Sequence, residues 1–255
     1  MRSVGRTDRG LVRKANEDSY LCEKLEGIKD TYLHIVADGM GGHNAGEVAS
    51  SMAVQVIASY IKENLQSLEH EDREVEDIIR NAILHANDKI YKKSIVDNDC
   101  LGMGTTLSMA LVRNRTVYIG HVGDSRVYLI RGSNITKLTE DHSLVAELVK
   151  AGSIKPEEAL CHPQKNVITR ALGTEYTLEV DISRCDLEYG DYILICSDGL
   201  SNSICEDEIM KVVTNSQDID EACEILVGKA KEKGGFDNIT VIIIQMCKGG
   251  DQCDR

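Results

Sequence analysis

Two apolar segments of this chain each run into an Asp-Gly pair, and this repeated pattern constrains the fold more than any other feature. HIVADGMGGHNAG contains Asp38-Gly39, YILICSDGLSN contains Asp198-Gly199, and a third aspartate, Asp237, stands just before ITVIIIQM. An Asp-Gly pair alone is an ordinary turn. A carboxylate at the mouth of an apolar strand is nevertheless costly unless something compensates it. Three such aspartates predict one shared site at a sheet edge.

The ligand chemistry of this site indicates a hard divalent cation. Carboxylate oxygens suit Mg²⁺ or Mn²⁺, and zinc is disfavoured because no His or Cys grouping accompanies them. Gly39 would let the backbone turn, so that its carbonyl faces the ion that Asp38 binds. The loop is not a phosphate-binding P-loop, because it lacks the Gly-Lys-Ser/Thr ending and has Asn44 where a dinucleotide motif needs glycine.

An N-terminal segment, GLVRKANEDSYL, adds a cation and two further carboxylates. Arg13 stands four residues before Glu17, and Asp18 follows directly. Alone, such a stretch is usually a solvated surface. Beside an acidic metal site, the guanidinium group can bind a phosphate through two parallel hydrogen bonds. Glu17 and Asp18 would then hold water at the metal.

Composition excludes several classes of protein. The formal net charge of -13 argues against nucleic-acid binding, which needs cations to neutralise phosphates. No segment reaches the about 20 apolar residues of a membrane-spanning helix, and the first ten residues lack an apolar signal segment. The nine cysteines are dispersed, as expected for reduced thiols, and none has Arg six positions later, which excludes a cysteine-phosphatase loop. We expect a cytoplasmic protein without membrane insertion.

The apolar periodicity predicts clustered helices and strands. Helical spacing appears over residues 49–61 and 75–90. Between Gly104 and Leu138 the pattern changes to that of strands in successive hairpins. Further strands are predicted over 178–185, 191–196 and 239–246, and further helices near 206–213 and 218–233. Because helices and strands do not alternate, the pattern favours an α+β fold with antiparallel sheets.

Six short motifs, taken in order, resemble those of one enzyme family. They are Arg13-x-x-Asn-Glu-Asp18, Ala37-Asp-Gly-Met-Gly-Gly42, Gly104-Thr-Thr106, Gly123-Asp-Ser-Arg126, Ser197-Asp-Gly199 and Asp237-Asn238. The set resembles the metal-dependent type 2C (PPM) serine/threonine protein phosphatases, the bacterial branch in particular. The resemblance implies a four-layer α-β-β-α sandwich of two antiparallel sheets flanked by helix pairs. It also implies a single domain over residues 1–247, with a flap segment around 139–174 and a flexible tail over 248–255.

The resemblance implies how the metal ligands divide between two Mn²⁺ or Mg²⁺ ions. Asp38 would bridge the two ions, and the Gly39 carbonyl would bind the second. Asp198 and Asp237 would hold the first ion, while Glu17 would act on the second through water.

Further roles follow from the same resemblance. Arg13 would bind the substrate phosphate and, with Asp38, form the catalytic set. Asp124 would help to hold a third, weaker ion, although an aspartate between two strands is also an ordinary turn residue. Met40 stands where animal members of the family have a proton-donating histidine. A water at the metal centre is therefore the first candidate for the general acid, and His142 and His162 are the nearest side-chain candidates.

The function implied is hydrolysis of phosphoserine and phosphothreonine on proteins by a metal-activated water. The enzyme would act as a monomer on phosphorylated proteins and would reverse the action of a cognate serine/threonine kinase. Two alternatives remain open at this point. A metal-dependent phosphoesterase could act on small molecules instead, and a non-catalytic module could bind phosphoproteins. The second is disfavoured because Asp38, Asp198 and Asp237 are all present.

Overall fold

The computed structural model describes residues 1–41, 45–65, 71–159 and 161–247, so the expected tail over 248–255 lies outside the described residues. The strands are β1 (Arg2–Asp8), β2 (Asp18–Lys24), β3 (Thr31–Met40), β4 (Gly104–Thr105), β5 (Leu107–Arg113), β6 (Thr116–Val122), β7 (Arg126–Arg131), β8 (Asn134–Lys137), β9 (Asp181–Asp186), β10 (Tyr192–Cys196) and β11 (Ile239–Gln245). The α-helices are α1 (Ala45–Asn64), α2 (Asp72–Val96), α3 (Leu144–Lys150), α4 (Pro156–Ala159), α5 (Asp198–Ser201), α6 (Glu206–Asn215) and α7 (Ile219–Glu232).

The strands form two antiparallel sheets. Sheet A has the strand order β1-β11-β10-β7-β8, and sheet B has the order β2-β3-β5-β6-β9, with β4 pairing to β3. The pairings β5–β6 and β7–β8 are the hairpins predicted from the sequence. The predicted α+β class with antiparallel sheets is confirmed.

Three apolar clusters separate four layers. One packs α1 and α2 on sheet B, and includes Ile57, Ile83 and Met109. A second packs α6 and α7 on sheet A. The third fills the space between the sheets and includes Val36 and Ile242. The α-β-β-α order of layers expected from the resemblance is confirmed.

The last strand shows why its sequence is almost continuously apolar. In β11, Val241 and Ile243 belong to the cluster under the helices, whereas Ile242 and Ile244 belong to the cluster between the sheets. Successive side chains of a strand point to opposite faces, and both faces of β11 are buried. A continuous apolar run is the expected signature of such a strand.

Two strands were missed by the sequence analysis. β1 and β2 lie at the edges of their sheets, and their side chains are mostly half-buried. Polar residues therefore interrupt the apolar pattern on which the strand predictions depended. The segment predicted as a strand from Leu178 begins pairing only at Asp181.

Two further expectations concerned the redox state of the cysteines and the absence of a membrane-spanning helix. Among the described residues, seven cysteines have free thiols, but Cys247 is in a disulfide, so the expectation of reduced thiols is wrong at that residue. Among the described residues, no helix combines the length and the apolar character needed to cross a lipid bilayer.

The cluster between the sheets yields a stability prediction. Ile242 is fully buried there, and Ile242→Ala should lower the free energy of unfolding by about 2–5 kcal/mol, because it removes buried methyl groups and leaves a cavity. Urea denaturation measures the change. The control Leu101→Ala, at a side chain that is 68% exposed, should stay within about 0.5 kcal/mol of the parent. Equal losses in both variants would contradict the packing described.

Candidate metal centre

The predicted carboxylates converge at one end of the two sheets. Asp18 begins β2 and pairs directly with Asp38 of β3. Asp198 follows β10 and begins α5, and Asp237 stands two residues before β11, the neighbour of β10. Asp124 lies in the turn between β6 and β7. Burial raises the pKa of Asp38, and charge repulsion from the other four aspartates raises it further.

The structure corrects the prediction that the strand stops at Asp38. β3 continues to Met40, and Gly39 pairs with Thr105 of β4. Gly39 therefore does not form the sharp turn expected from the sequence. Glycine is required there by close approach, because a Cβ would stand 2.1 Å from the Gly46 carbonyl oxygen and 2.5 Å from that of Glu17. Strand β3 and the start of α1 thus meet backbone to backbone at the centre.

The Gly-Thr-Thr motif holds Asp38 in place. Thr106 Oγ1 accepts a hydrogen bond from the Asp38 amide at 3.0 Å. The Thr106 amide donates to the Asp38 carbonyl at 2.9 Å, as does Thr105 Oγ1. Thr106 Oγ1 is also bonded to Ser125 Oγ at 2.6 Å, which connects Asp38 to the residue that follows Asp124.

Asp18 is more central than the sequence indicated. Its Oδ2 accepts hydrogen bonds from Ser197 Oγ at 2.8 Å and from Thr240 Oγ1 at 2.6 Å. From the sequence, Asp18 was expected only to hold water beside Glu17, and no role was predicted for Ser197 or Thr240. Sequence position could have indicated them, since Ser197 directly precedes Asp198 and Thr240 stands three residues after Asp237.

Asn238 joins the N-terminal loop to the centre. Its Oδ1 accepts from the Glu17 amide at 2.8 Å, and its Nδ2 donates to two carbonyl oxygens of the loop. Arg13, in the same loop, donates to Asp237 Oδ2 at 2.7 Å. Burial raises the pKa of Glu17, against the lowering effect of the Arg13 guanidinium. Arg13, the predicted phosphate-binding residue, is therefore hydrogen-bonded to Asp237, a predicted metal ligand.

The carboxyl groups of the centre hold protons more tightly than isolated ones. Burial raises the pKa of Asp18 to about 7, with added repulsion from Asp198. Burial and the same neighbour raise the pKa of Asp124 to about 7. The pKa of Asp198 is about 6, raised by burial and by Asp237, and lowered by a hydrogen bond with Asp38.

The donor atoms fit a hard divalent cation. One oxygen each of Asp18, Asp124 and Asp198 is buried without a hydrogen-bond partner, an arrangement that costs about 1–3 kcal/mol per group unless a cation compensates it. Across the part of the chain that the structure describes, no group of three or more His, Cys, Asp or Glu side chains is arranged to hold a metal ion by itself. Mg²⁺ does not need such a group, because it keeps several waters and binds through one or two carboxylates.

The two histidines proposed as proton donors are already engaged. His142 Nδ1 accepts from the Gly123 amide at 3.0 Å, and its Nε2 lies 3.2 Å from Asp181 Oδ2. Burial lowers the pKa of His142, with a further contribution from Arg170. His162 Nδ1 accepts from a backbone amide within its own turn. Neither histidine donates a hydrogen bond to a carboxylate of the centre.

Comparison with known proteins shows similarity over nearly the whole chain. A family model described as protein phosphatase 2C matches residues 12–229. Serine/threonine phosphatase stp of Listeria welshimeri is 41% identical over 254 residues, 98% of this chain and 99% of that protein. The solved S. agalactiae serine/threonine phosphatase has a TM-score of 0.89 and 38% identity, and the match covers 96% of this chain and 99% of that one. The solved catalytic domain of PstP, in complex with two manganese ions, has a TM-score of 0.83 and 33% identity over 97% and 98% of the respective chains.

The raised pKa values predict how the metal-free protein responds to pH. The pKa of an aspartate in the unfolded chain is about 3.9. In the native state burial raises the pKa of Asp18 and of Asp124 to about 7 and that of Asp198 to about 6. The native state binds more protons in this window, so the stability that these groups contribute is complete below the unfolded value and is lost as the pH rises through the native values. We expect the melting temperature in EDTA to fall between about pH 4 and about pH 7.

Divalent cations should reverse this loss. At about pH 7.5, Mn²⁺ at 100 times its dissociation constant should stabilise the native state by about 2.7 kcal/mol, measured by differential scanning fluorimetry. Asp198→Asn should reduce the Mn²⁺ shift, whereas Asp88→Asn, at a half-buried residue of α2 that is paired with Lys92, should keep it. A melting temperature that responds to neither pH nor Mn²⁺ would show that these carboxylates are not a cation site.

Proposed function

This chain belongs to the protein phosphatase 2C family and is a protein serine/threonine phosphatase, and we propose that its active site is the carboxylate centre around Asp38. One observation carries the assignment. Three buried carboxylate oxygens without hydrogen-bond partners lie in a cluster whose edge holds an arginine. Cations compensate the oxygens, and the arginine provides a site for a phosphate group.

We assign the metal ligands as follows. Asp38 would bridge two ions, and Asp198 and Asp237 would hold the first of them. The Gly39 carbonyl would bind the second, and Glu17 would act on it through water. The fit rests on the raised pKa of Asp38 and on the unpartnered oxygen of Asp198. Mn²⁺ or Mg²⁺ suits the oxygen-only donors.

Asp124 and Asp18 extend this set. Asp124 has a buried, unpartnered Oδ1 and feels the charge of Asp198, which supports its role in holding a third, weaker ion. Asp18 has one oxygen fixed by Ser197 and Thr240 and one without a partner. We propose that Asp18 orients water at the centre.

The chemistry divides between the ions and the chain. When bound, a pair of divalent ions lowers the pKa of a water and neutralises charge on the phosphoryl oxygens. The chain supplies position: Thr105 and Thr106 fix the backbone of Asp38. Met40 has no proton to give and His142 is engaged elsewhere, so we propose that water protonates the leaving serine or threonine oxygen.

Arg13 is placed to bind a substrate phosphate in addition to, or instead of, the Asp237 carboxylate. It is paired with Asp237 through a single 2.7 Å bond, and its side chain is 48% exposed. The remaining guanidinium donors can bind a phosphate presented from solvent in the two-pronged geometry that arginine prefers. We propose that Arg13 holds the substrate phosphate beside the ions.

The cellular setting is also proposed. We infer that the enzyme works as a cytoplasmic monomer, with residues 1–247 as one catalytic domain, on phosphoproteins produced by a serine/threonine kinase. The net charge of -13 supports protein rather than nucleic-acid substrates.

Loss of a metal ligand should abolish most activity. Asp38→Asn and Asp198→Asn should each lower kcat/KM for a phosphothreonine peptide in Mn²⁺ by more than about 100-fold, because changes around metal ligands alone cost about 10–100-fold. EDTA should stop the parent enzyme. Asp88→Asn is the matched control and should keep full activity, with circular dichroism checking the fold of each variant. Normal activity in both centre variants would exclude this active site.

Substitution of Arg13 should act mainly on substrate binding. Arg13→Ala should raise KM for the phosphopeptide by about 10–100-fold, the loss expected for hydrogen bonds to a charged group, with the Mn²⁺-induced shift in melting temperature retained. Arg13→Lys keeps the charge but loses the paired geometry, so it should restore only part of the binding. The exposed Arg73→Ala serves as control. Unchanged kinetics in Arg13→Ala would mean that Arg13 is only a surface residue.

A further inference from the structure

Three large apolar side chains are exposed together beside the proposed phosphate site. Leu11 is 62% exposed, Val12 is 61% exposed and Phe236, the only phenylalanine of the chain, is 70% exposed. Single exposed apolar residues are common, whereas a cluster marks a binding surface. We call these three residues the apolar rim.

The loops that carry the apolar rim are held together by their backbones. The amides of Leu11 and Val12 both donate to the Gly235 carbonyl, at 2.8 and 3.3 Å. Gly10 has a φ of +75°, and a Cβ there would stand 2.2 Å from the Asp237 carbonyl oxygen. Asn238 Nδ2 bonds the N-terminal loop on both sides of this contact. The exposure of the rim is therefore a property of fixed loops.

The apolar rim is continuous with the phosphate site. Val12 directly precedes Arg13, Phe236 directly precedes Asp237, and Arg13 and Asp237 are bonded to each other at 2.7 Å. Adjacent Cα atoms are about 3.8 Å apart, and an extended peptide advances about 3.3 Å per residue. A side chain within about three residues of the phosphorylated one can therefore reach the rim.

The positive charge of residues 9–14 also favours a phosphopeptide at this surface. The exposed positions Arg9, Arg13 and Lys14 surround Leu11 and Val12, and residues 9–14 contain no acidic residue. The chain as a whole carries a formal charge of -13. A cationic segment on an acidic protein attracts an anionic phosphopeptide to this face in preference to the rest of the surface.

We propose that Leu11, Val12 and Phe236 form a subsite for an apolar side chain near the phosphoserine or phosphothreonine of the substrate protein. The subsite rests on the proposed function, since it takes Arg13 as the phosphate-binding group. It defines the substrate class as phosphorylated segments with an aliphatic or aromatic residue within about three positions of the phosphate. Aromatic side chains such as Phe236 are frequent anchors of this kind at binding surfaces.

A peptide series tests the subsite. The parent peptide carries phosphothreonine among polar residues, and each variant replaces one flanking residue, from three before to three after it, with Leu. We expect at least one position to raise kcat/KM by about tenfold, the gain from partial burial of one leucine side chain. Equal kcat/KM for every peptide overturns the subsite but leaves the phosphatase assignment intact. Failure to hydrolyse any peptide overturns both.

Substitutions on the enzyme complete the test. Phe236→Ser and Leu11→Gln should each remove most of the preference for the Leu peptide. In both variants kcat/KM for the polar peptide and for an aryl phosphate should change less than about twofold, since neither substrate places an apolar side chain on the rim. Leu101→Gln, at an exposed apolar residue elsewhere, should keep the preference. If the rim variants lower all three activities equally, the loops only support Arg13 and Asp237, and the subsite is rejected.

Discussion

Repulsion among buried carboxylates is the constraint on which the centre depends. Burial and neighbouring charge raise the pKa of Asp18, Asp38, Asp124 and Asp198 together. Such a cluster opposes folding unless cations or protons neutralise it. The surrounding structure accordingly gives hydrogen-bond partners to some carboxylate oxygens and leaves others buried and open for a cation. The buried carboxylate cluster therefore destabilises the fold in the absence of ions and provides a binding site when ions are present.

The sandwich explains how aspartates far apart in sequence meet. Each sheet contributes a pair of neighbouring strands, β2–β3 from sheet B and β10–β11 from sheet A, and each pair carries two carboxylates at the same end. The apolar cluster between the sheets holds these ends in register. The helices α1 and α5 begin at the centre, so its carboxylates lie on regular elements or directly beside them, where a site is most precise.

Much of this could be predicted from the sequence, and the failures have physical causes. Asp38, Asp198 and Asp237 were predicted to converge because each adjoins a strongly apolar strand, a pattern that short-range periodicity detects. Asp18 was undervalued because its importance comes from cross-strand pairing with Asp38 and from two distant hydroxyl donors. The predicted reason for glycine at position 39, a sharp turn, was wrong. Glycine is needed there because the backbone contacts the start of α1, and no local sequence pattern predicts that contact. The edge strands β1 and β2 were missed because their exposed faces are polar.

The bond between the Glu17 amide and Asn238 joins residues that are 221 positions apart. During synthesis the first of these residues leaves the ribosome long before the second exists, and domains fold from the N-terminus as they emerge. Gly39 and Ser50 bond the Glu17 carbonyl early in synthesis, but the loop that carries Arg13 and Glu17 lacks its bonds to Asp237 and Asn238 until those residues have been translated. A nascent chain therefore cannot assemble the centre before Asp198, Asp237 and Asn238 have been synthesised, and catalysis has to wait for them.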